Sequence, residues 1–296
     1  MGALVPIIAP VGFIVLTGFL AGRFLGLPLQ PLSRFTLYLL SPALIFDSVY
    51  RAALPAESAA GILLGFACTS LALWLLGMGV ARLARLPHPT RASLLATTLF
   101  PNAGNMGLSV VFFAFGEAGL ERAVVYMLGA SLLMFGLGPA LFRGASLGEG
   151  LRFTLRLPLI WAVFAGLAFR LLGLPLPYNL GNAIHMMGQA VIPLALLILG
   201  MQIAQSRFKV GVFEGVAGSL RLLAAPVVAL GIARLLHLAP LDAKVLVLQS
   251  AMPAAVNAFL LSTEFGGDAP RTARVVVAST IAAFLTLPLV LAFLVG

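Results

Sequence analysis

Three side chains within five residues define the chemistry to look for. The stretch Phe100 to Ser109 reads F-P-N-A-G-N-M-G-L-S and holds Pro101, Asn102 and Asn105. A second stretch, Ser250 to Phe259, reads S-A-M-P-A-A-V-N-A-F, so Pro253 and Asn257 repeat the P-x-x-x-N spacing. A proline lacks the amide hydrogen and its ring clashes with the carbonyl four residues back. Each one therefore predicts a helix break, with the carbonyls of Thr97 and Gln249 freed. Gly104 and Gly107 add backbone freedom after the first break. The half-helix that follows a break starts with unpaired N–H groups and the positive end of a dipole, which attract an anion without any formal charge. The amides of Asn102, Asn105 and Asn257 donate and accept hydrogen bonds. They suit a carboxylate, or equally one another. Gln249 stands beside the second break and is a further candidate for the lining.

The elements that must position these residues are membrane spans. The chain has 296 residues, 61% of them hydrophobic and only 9% charged, with a mean hydropathy of +1.10. A soluble domain carries about a quarter charged residues. A spanning helix takes about 20 apolar residues, and apolar runs at roughly 4–22, 32–51, 57–82, 91–115, 119–142, 156–173, 180–206, 214–237, 241–266 and 270–295 give ten of them. Pro/Gly-rich joints such as G-L-P-L-Q-P and L-P-H-P separate the runs. Pro101 falls about ten residues past Arg91, or about 15 Å at 1.5 Å per residue. Pro253 lies at a similar distance past Asp242, so both breaks fall near the middle of a core about 30 Å thick.

The loops orient the spans. With the N-terminus outside, thirteen of the 18 lysines and arginines, among them Arg23, Arg82, Arg91, Arg143 and Arg274, collect on the inner side. That is a positive-inside distribution with both termini outside. The chain also repeats: L-A-G-R-F-L-G-L-P-L around Arg23 recurs as L-A-F-R-L-L-G-L-P-L around Arg170, an offset of 147. At an offset of 152, Pro101 lands on Pro253 and Asn105 on Asn257, and each motif is followed by an F-G pair, Phe115-Gly116 and Phe265-Gly266. Halves of five spans, 1–147 and 148–296, enter the membrane from opposite sides. The predicted fold is all-α, ten transmembrane helices in a five-plus-five inverted repeat with helices 4 and 9 broken. Secondary transporters place their sites between such discontinuous helices.

Other features carry less. The net charge of +9 is spread between apolar runs with no basic stripe, so nucleic acid is not an expected partner. Cys68 is a single cysteine in an apolar run, which leaves no disulfide framework or thiolate metal site. The run from Leu4 to Gly22 lacks a positive leading region and reads as a retained span. Asp47 and Arg51 are spaced as an i,i+4 ion pair. His185 and Gln189 share a helix face near the outer surface, where a hydrogen-bonded histidine is expected. Arg221 is expected to snorkel toward the cytoplasm. Ser109 with His185 or His237 would be the alternative of an intramembrane hydrolase, but it lacks a G-x-S-x-G setting.

Four motifs together carry a family likeness: L-F-P-N-A-G-N-M-G-L-S in helix 4, S-P-A-L-I-F in helix 2, I-P-L-A-L-L-I-L-G-M in helix 7 and A-M-P-A-A-V-N-A-F-L-L-S-T-E-F-G in helix 9. In these the chain resembles the auxin efflux carrier family, whose bacterial members include presumed malate and malonate permeases, over nearly its whole length. The resemblance implies a fold shared with the bile acid/sodium symporter superfamily, with helices 4 and 9 crossing. Helices 1, 2, 6 and 7 would form a scaffold supporting a homodimer, and helices 3–5 and 8–10 a transport domain moving as an elevator. Substrate would sit at the crossover, on Pro101, Asn102, Asn105, Pro253, Asn257 and Gln249, with Phe46 and Ile198 lining the path from the scaffold. The implied activity is secondary transport of a mono- or dicarboxylate across the cytoplasmic membrane, with no cofactor and with proton or sodium as coupling ion. No acidic residue stands beside either break, which speaks against sodium by the same comparison. The competing readings are a sodium-coupled symporter of larger amphipathic anions and a ligand sensor that does not transport.

Overall fold

The computed structural model describes residues 5–51, 54–143, 155–205 and 210–295, and these are helical but for short joints and one isolated β-bridge. In chain order, α1 is Val5–Phe24 and α2 covers 29–51, with a π-turn at Thr36–Leu40. Next come α3, Ala56–Leu83, and α4, His88–Leu99. α5 covers 103–115 and opens in a π-turn at Ala103–Gly107, and α6 covers 117–143. α7 is Pro158–Leu171 and α8 is Leu180–Gln205. α9 is Val212–Leu235, α10 Pro240–Ser250, α11 Val256–Phe265 and α12 Ala269–Val295. Among the described residues, five helical stretches are long and apolar enough to cross a membrane. They are Ala56–Leu83, Ala103–Gly138, Leu180–Gln205, Val212–Leu235 and Ala269–Val295.

Local sequence explains where these helices start and stop. α4, α7 and α10 carry a proline in their first turn, where its missing N–H costs nothing. The two F-G pairs act as stops: Gly116 sits at φ 65° and Gly266 at φ 79°, backbone that side chains with a Cβ adopt at a cost. Runs 4 and 9, each expected as one broken span, are pairs of helices separated at 100–102 and 251–255.

Packing follows the small residues. α1 lies against α8 so closely that a Cβ on Gly18 would come 2.2 Å from the Leu197 carbonyl oxygen, and one on Gly200 would come 2.0 Å from that of Val15. Small residues allow this approach, which supplies dispersion where lipid offers no hydrophobic drive. α2 packs on α7 at Gly166 and on α8 at Gly188. Elsewhere α3 packs on α4, α6, α9 and α10, and α12 packs on α9 and α11.

Ion pairs tie distant parts of the chain. Arg122 Nε on α6 meets Asp242 Oδ1 on α10 at 2.5 Å, with both side chains largely buried. Arg274 Nε meets Glu214 Oε1 at 2.6 Å. The pairing of Asp47 with Arg51 forms at 2.7 Å, and the other oxygen of Asp47 meets His185 Nδ1, also at 2.7 Å. Arg51 further donates to the Gly181 carbonyl, so this group joins α2 to α8. Removing one partner of a buried pair strands the other charge at a cost of about 3–5 kcal/mol. Arg122 keeps some exposure, so Arg122→Ala is expected to cost about 2–3 kcal/mol. Melting of the purified variant, with Asp242→Asn and the double variant completing a cycle, checks this.

Candidate functional site

The two breaks touch. Asn102 N donates to the Pro253 carbonyl and Ala255 N donates to the Phe100 carbonyl, both at 2.8 Å, and Pro101 and Ala254 form an antiparallel bridge between them. Neither proline donates; the donors are the residue after Pro101 and the second residue after Pro253. In a low-dielectric interior, backbone groups outside a helix must find partners, and here each break satisfies the other. Ser279 Oγ on α12 accepts a further bond from Ala254 N at 3.2 Å.

The predicted residues distribute around this bridge unevenly. Pro101 and Pro253 are buried in it, and Asn105 and Asn257 are half-buried on the first turns of α5 and α11. Asn102 is 5% exposed, and its Nδ2 has no hydrogen-bond partner among the described residues. No hydrogen bond joins the three asparagine amides to one another among those residues. Gln249 is fully buried: its Nε2 reaches the Ala123 carbonyl only at 3.5 Å and its Oε1 has no partner. A Cβ on Gly107 would lie 2.0 Å from that Oε1. Gly107 therefore serves close approach between the two breaks rather than backbone freedom.

Phe46 is not brought to the bridge. It stacks on Tyr50 and meets Phe169 edge-on, both at 5.8 Å between ring centres, in the packing of α2 on α7. Ile198 is buried on α8. A different contact links α8 to the broken helix: Ser109 Oγ lies 3.2 Å from the Asn105 carbonyl and 3.3 Å from that of Ile192. With Ser109 so engaged and His185 held by Asp47, these two do not form the serine–base pair of a hydrolase.

The residue that sequence reasoning misplaced is Arg221. It does not snorkel: it is 1% exposed, on a π-turn of α9. Nη1 donates to the Thr98 carbonyl at 2.6 Å, and Nη2 donates to the Ser250 carbonyl. These carbonyls belong to the C-terminal ends of α4 and α10, one residue beyond the pair that proline geometry singles out. The Gln249 carbonyl is instead taken by Met252 N at 3.3 Å. Tyr126 on α6 hydrogen-bonds Ser250 Oγ at 3.2 Å beside it. Depth is the signal that would have found Arg221. It lies nine residues into the span Val212–Leu235, or about 13 Å from its start, too deep to reach the surface easily.

A buried arginine, two stapled helix ends and an amide donor without a protein partner form a polar centre inside an apolar molecule. Among the described residues, no three His, Cys, Asp or Glu side chains gather as a metal site built from such side chains would have them. A model of the membrane transport protein family matches the chain twice, over residues 3–148 and 144–291, which points to a repeat. An "Uncharacterized transporter" of Methanothermobacter thermautotrophicus is 32% identical over 270 residues, covering 87% of this chain and 86% of its own length. A protein of Rhizobium meliloti named "Putative malonate transporter" is 23% identical over 304 residues, covering 95% of this chain and 92% of its own. The chain thus belongs to the membrane transport protein family, the auxin efflux carriers: it is a multi-pass membrane transporter and not an enzyme.

Proposed function

We propose that the protein is a secondary active transporter of a small organic anion, a mono- or dicarboxylate, and that the anion is held at the bridged breaks. The observation that carries this reading is the stapled pair itself, with the Asn102 Nδ2 donor buried beside it and unpartnered. The first turns of α5 and α11 add positive dipole ends at the same place, and the half-buried amides of Asn105 and Asn257 supply further hydrogen bonds. The Rhizobium meliloti relative is named for malonate, which favours a dicarboxylate among the candidates.

The rest of the reading concerns topology and movement. Ten spans in two inverted halves, 1–147 and 148–296, carry the chain across the cytoplasmic membrane with both termini outside. In support, the pairs Arg122–Asp242, Arg274–Glu214 and Asp47–His185 each join residues that this topology puts on one side. The close packing of α1 on α8 and of α2 on α7 and α8 supports a scaffold of helices 1, 2, 6 and 7. The remaining helices form the part that moves as an elevator, in a homodimer.

Proteoliposome uptake of a panel including malonate, malate, acetate and lactate, with proton and sodium gradients imposed separately, tests this. Saturable uptake of at least one carboxylate, competed by its analogues, is the expected result. Protein that binds a carboxylate without moving it would instead be a sensor.

A further inference from the structure

Arg221 has no acidic partner among the described residues, and yet it is buried deep in a membrane span. A charge so placed is costly unless fixed partners compensate it. Its compensation comes from backbone. α4 and α10 end toward it, and each helix C-terminus carries about −0.5 of a charge, so two together match one guanidinium. The hydrogen bonds to Thr98 and Ser250 are the contacts through which they do so.

These are the groups that bind coupling cations in transporters with broken helices, where unwound carbonyls and half-helix C-terminal ends supply the ligands. We propose that Arg221 is a built-in counter-cation: its guanidinium occupies the carbonyl ends at the crossing, so the anion is carried without a metal cation bound there. The proposal rests on the anion-transport reading and adds to it a specific ion dependence. The two C-terminal ends are neutralised permanently, which leaves the N-terminal ends of α5 and α11 and the Asn102 amide to face the substrate. Arg221 Nε is itself buried and without a hydrogen-bond partner among the described residues. Arginine suits the role better than lysine, because its planar fork reaches two carbonyls at once and it stays charged when buried.

The experiment has a melting arm and a flux arm. In the first, purified wild type, Arg221→Ala and Arg221→Lys are melted in sodium, guanidinium and N-methylglucamine chlorides at equal low ionic strength. Wild type should melt alike in all three. Arg221→Ala should melt lower, and guanidinium or sodium binding in the emptied place should recover about 3 °C. In the second arm, carboxylate uptake by wild type should be the same in sodium and N-methylglucamine. Arg221→Ala should lose about tenfold or more, the worth of a hydrogen-bonded charge, and regain part of it with guanidinium. Sodium that raises the wild-type melting temperature or drives its uptake overturns the proposal. So does an Arg221→Ala protein that transports normally in N-methylglucamine. Should Arg221→Ala fail to fold, the wild-type sodium comparison and Arg221→Lys still decide. If wild type moves no carboxylate, the transport reading falls and the melting arm alone judges Arg221.

Discussion

Asn102→Ala is expected to cut carboxylate uptake at low substrate by at least about tenfold and to leave the protein at least as stable as the parent. The two effects part company because of where the amide stands. Its Nδ2 is buried with no hydrogen-bond partner among the described residues, and an unmade bond of this kind costs about 1–3 kcal/mol. Alanine removes that cost along with the side chain. The backbone bond from Asn102 N to Pro253 O does not depend on the side chain, so the bridge survives the substitution. A hydrogen bond to a charged ligand, by contrast, is worth about 1.5–3 kcal/mol, so uptake at low substrate should fall about 10- to 150-fold. Asn257→Ala, half-buried on the opposite break, should show the same direction. Uptake and melting temperature measured on one preparation check this. Uptake at the parent's level in both variants would remove the asparagines from the site.

Gly200→Ala is expected to be among the most damaging additions of a single methyl at the described glycines. Its Cβ would lie 2.0 Å from the Val15 carbonyl oxygen and 2.5 Å from Phe19 N, which are backbone atoms of α1 with no rotamer to yield. Relief requires α1 to move off α8, which loses the close approach of Gly18 to Leu197 as well. Overpacking costs 1–3 kcal/mol where side chains can shift, so about 3 kcal/mol or more is expected here. The control is Gly12→Ala in the same helix, where a Cβ meets nothing within 4 Å. There the exchange should stabilise, by up to about 1 kcal/mol, through helix propensity. Melting of the two variants side by side tests both signs.

Much of the architecture can be read from the residues alone, because membrane spans depend on composition over long windows and breaks depend on proline. The break positions follow from Pro101 and Pro253, and the stops after the second half-helices from Gly116 and Gly266. What a single sequence does not carry is which groups face one another across helices. Depth within its span sets Arg221 apart in the sequence, but the two helix ends that converge on it and hold its charge there are visible only in the fold. The ring contacts of Phe46 with Tyr50, one turn away, and with Phe169, on another helix, are likewise not legible in the sequence. Backbone freedom is what Gly107 suggests in the sequence, whereas in the fold its lack of a side chain makes room for Gln249.

The reciprocal bonds between Phe100, Asn102, Pro253 and Ala255 have a consequence for energetics. Separating them would strand four backbone groups away from water, so in any movement the two breaks must stay together as one rigid unit. A unit that keeps its shape presents the same ligands whether it opens to one compartment or the other. If that unit holds the anion as proposed above, the same ligands would meet it from both faces, and the gradients would set the direction of net flow.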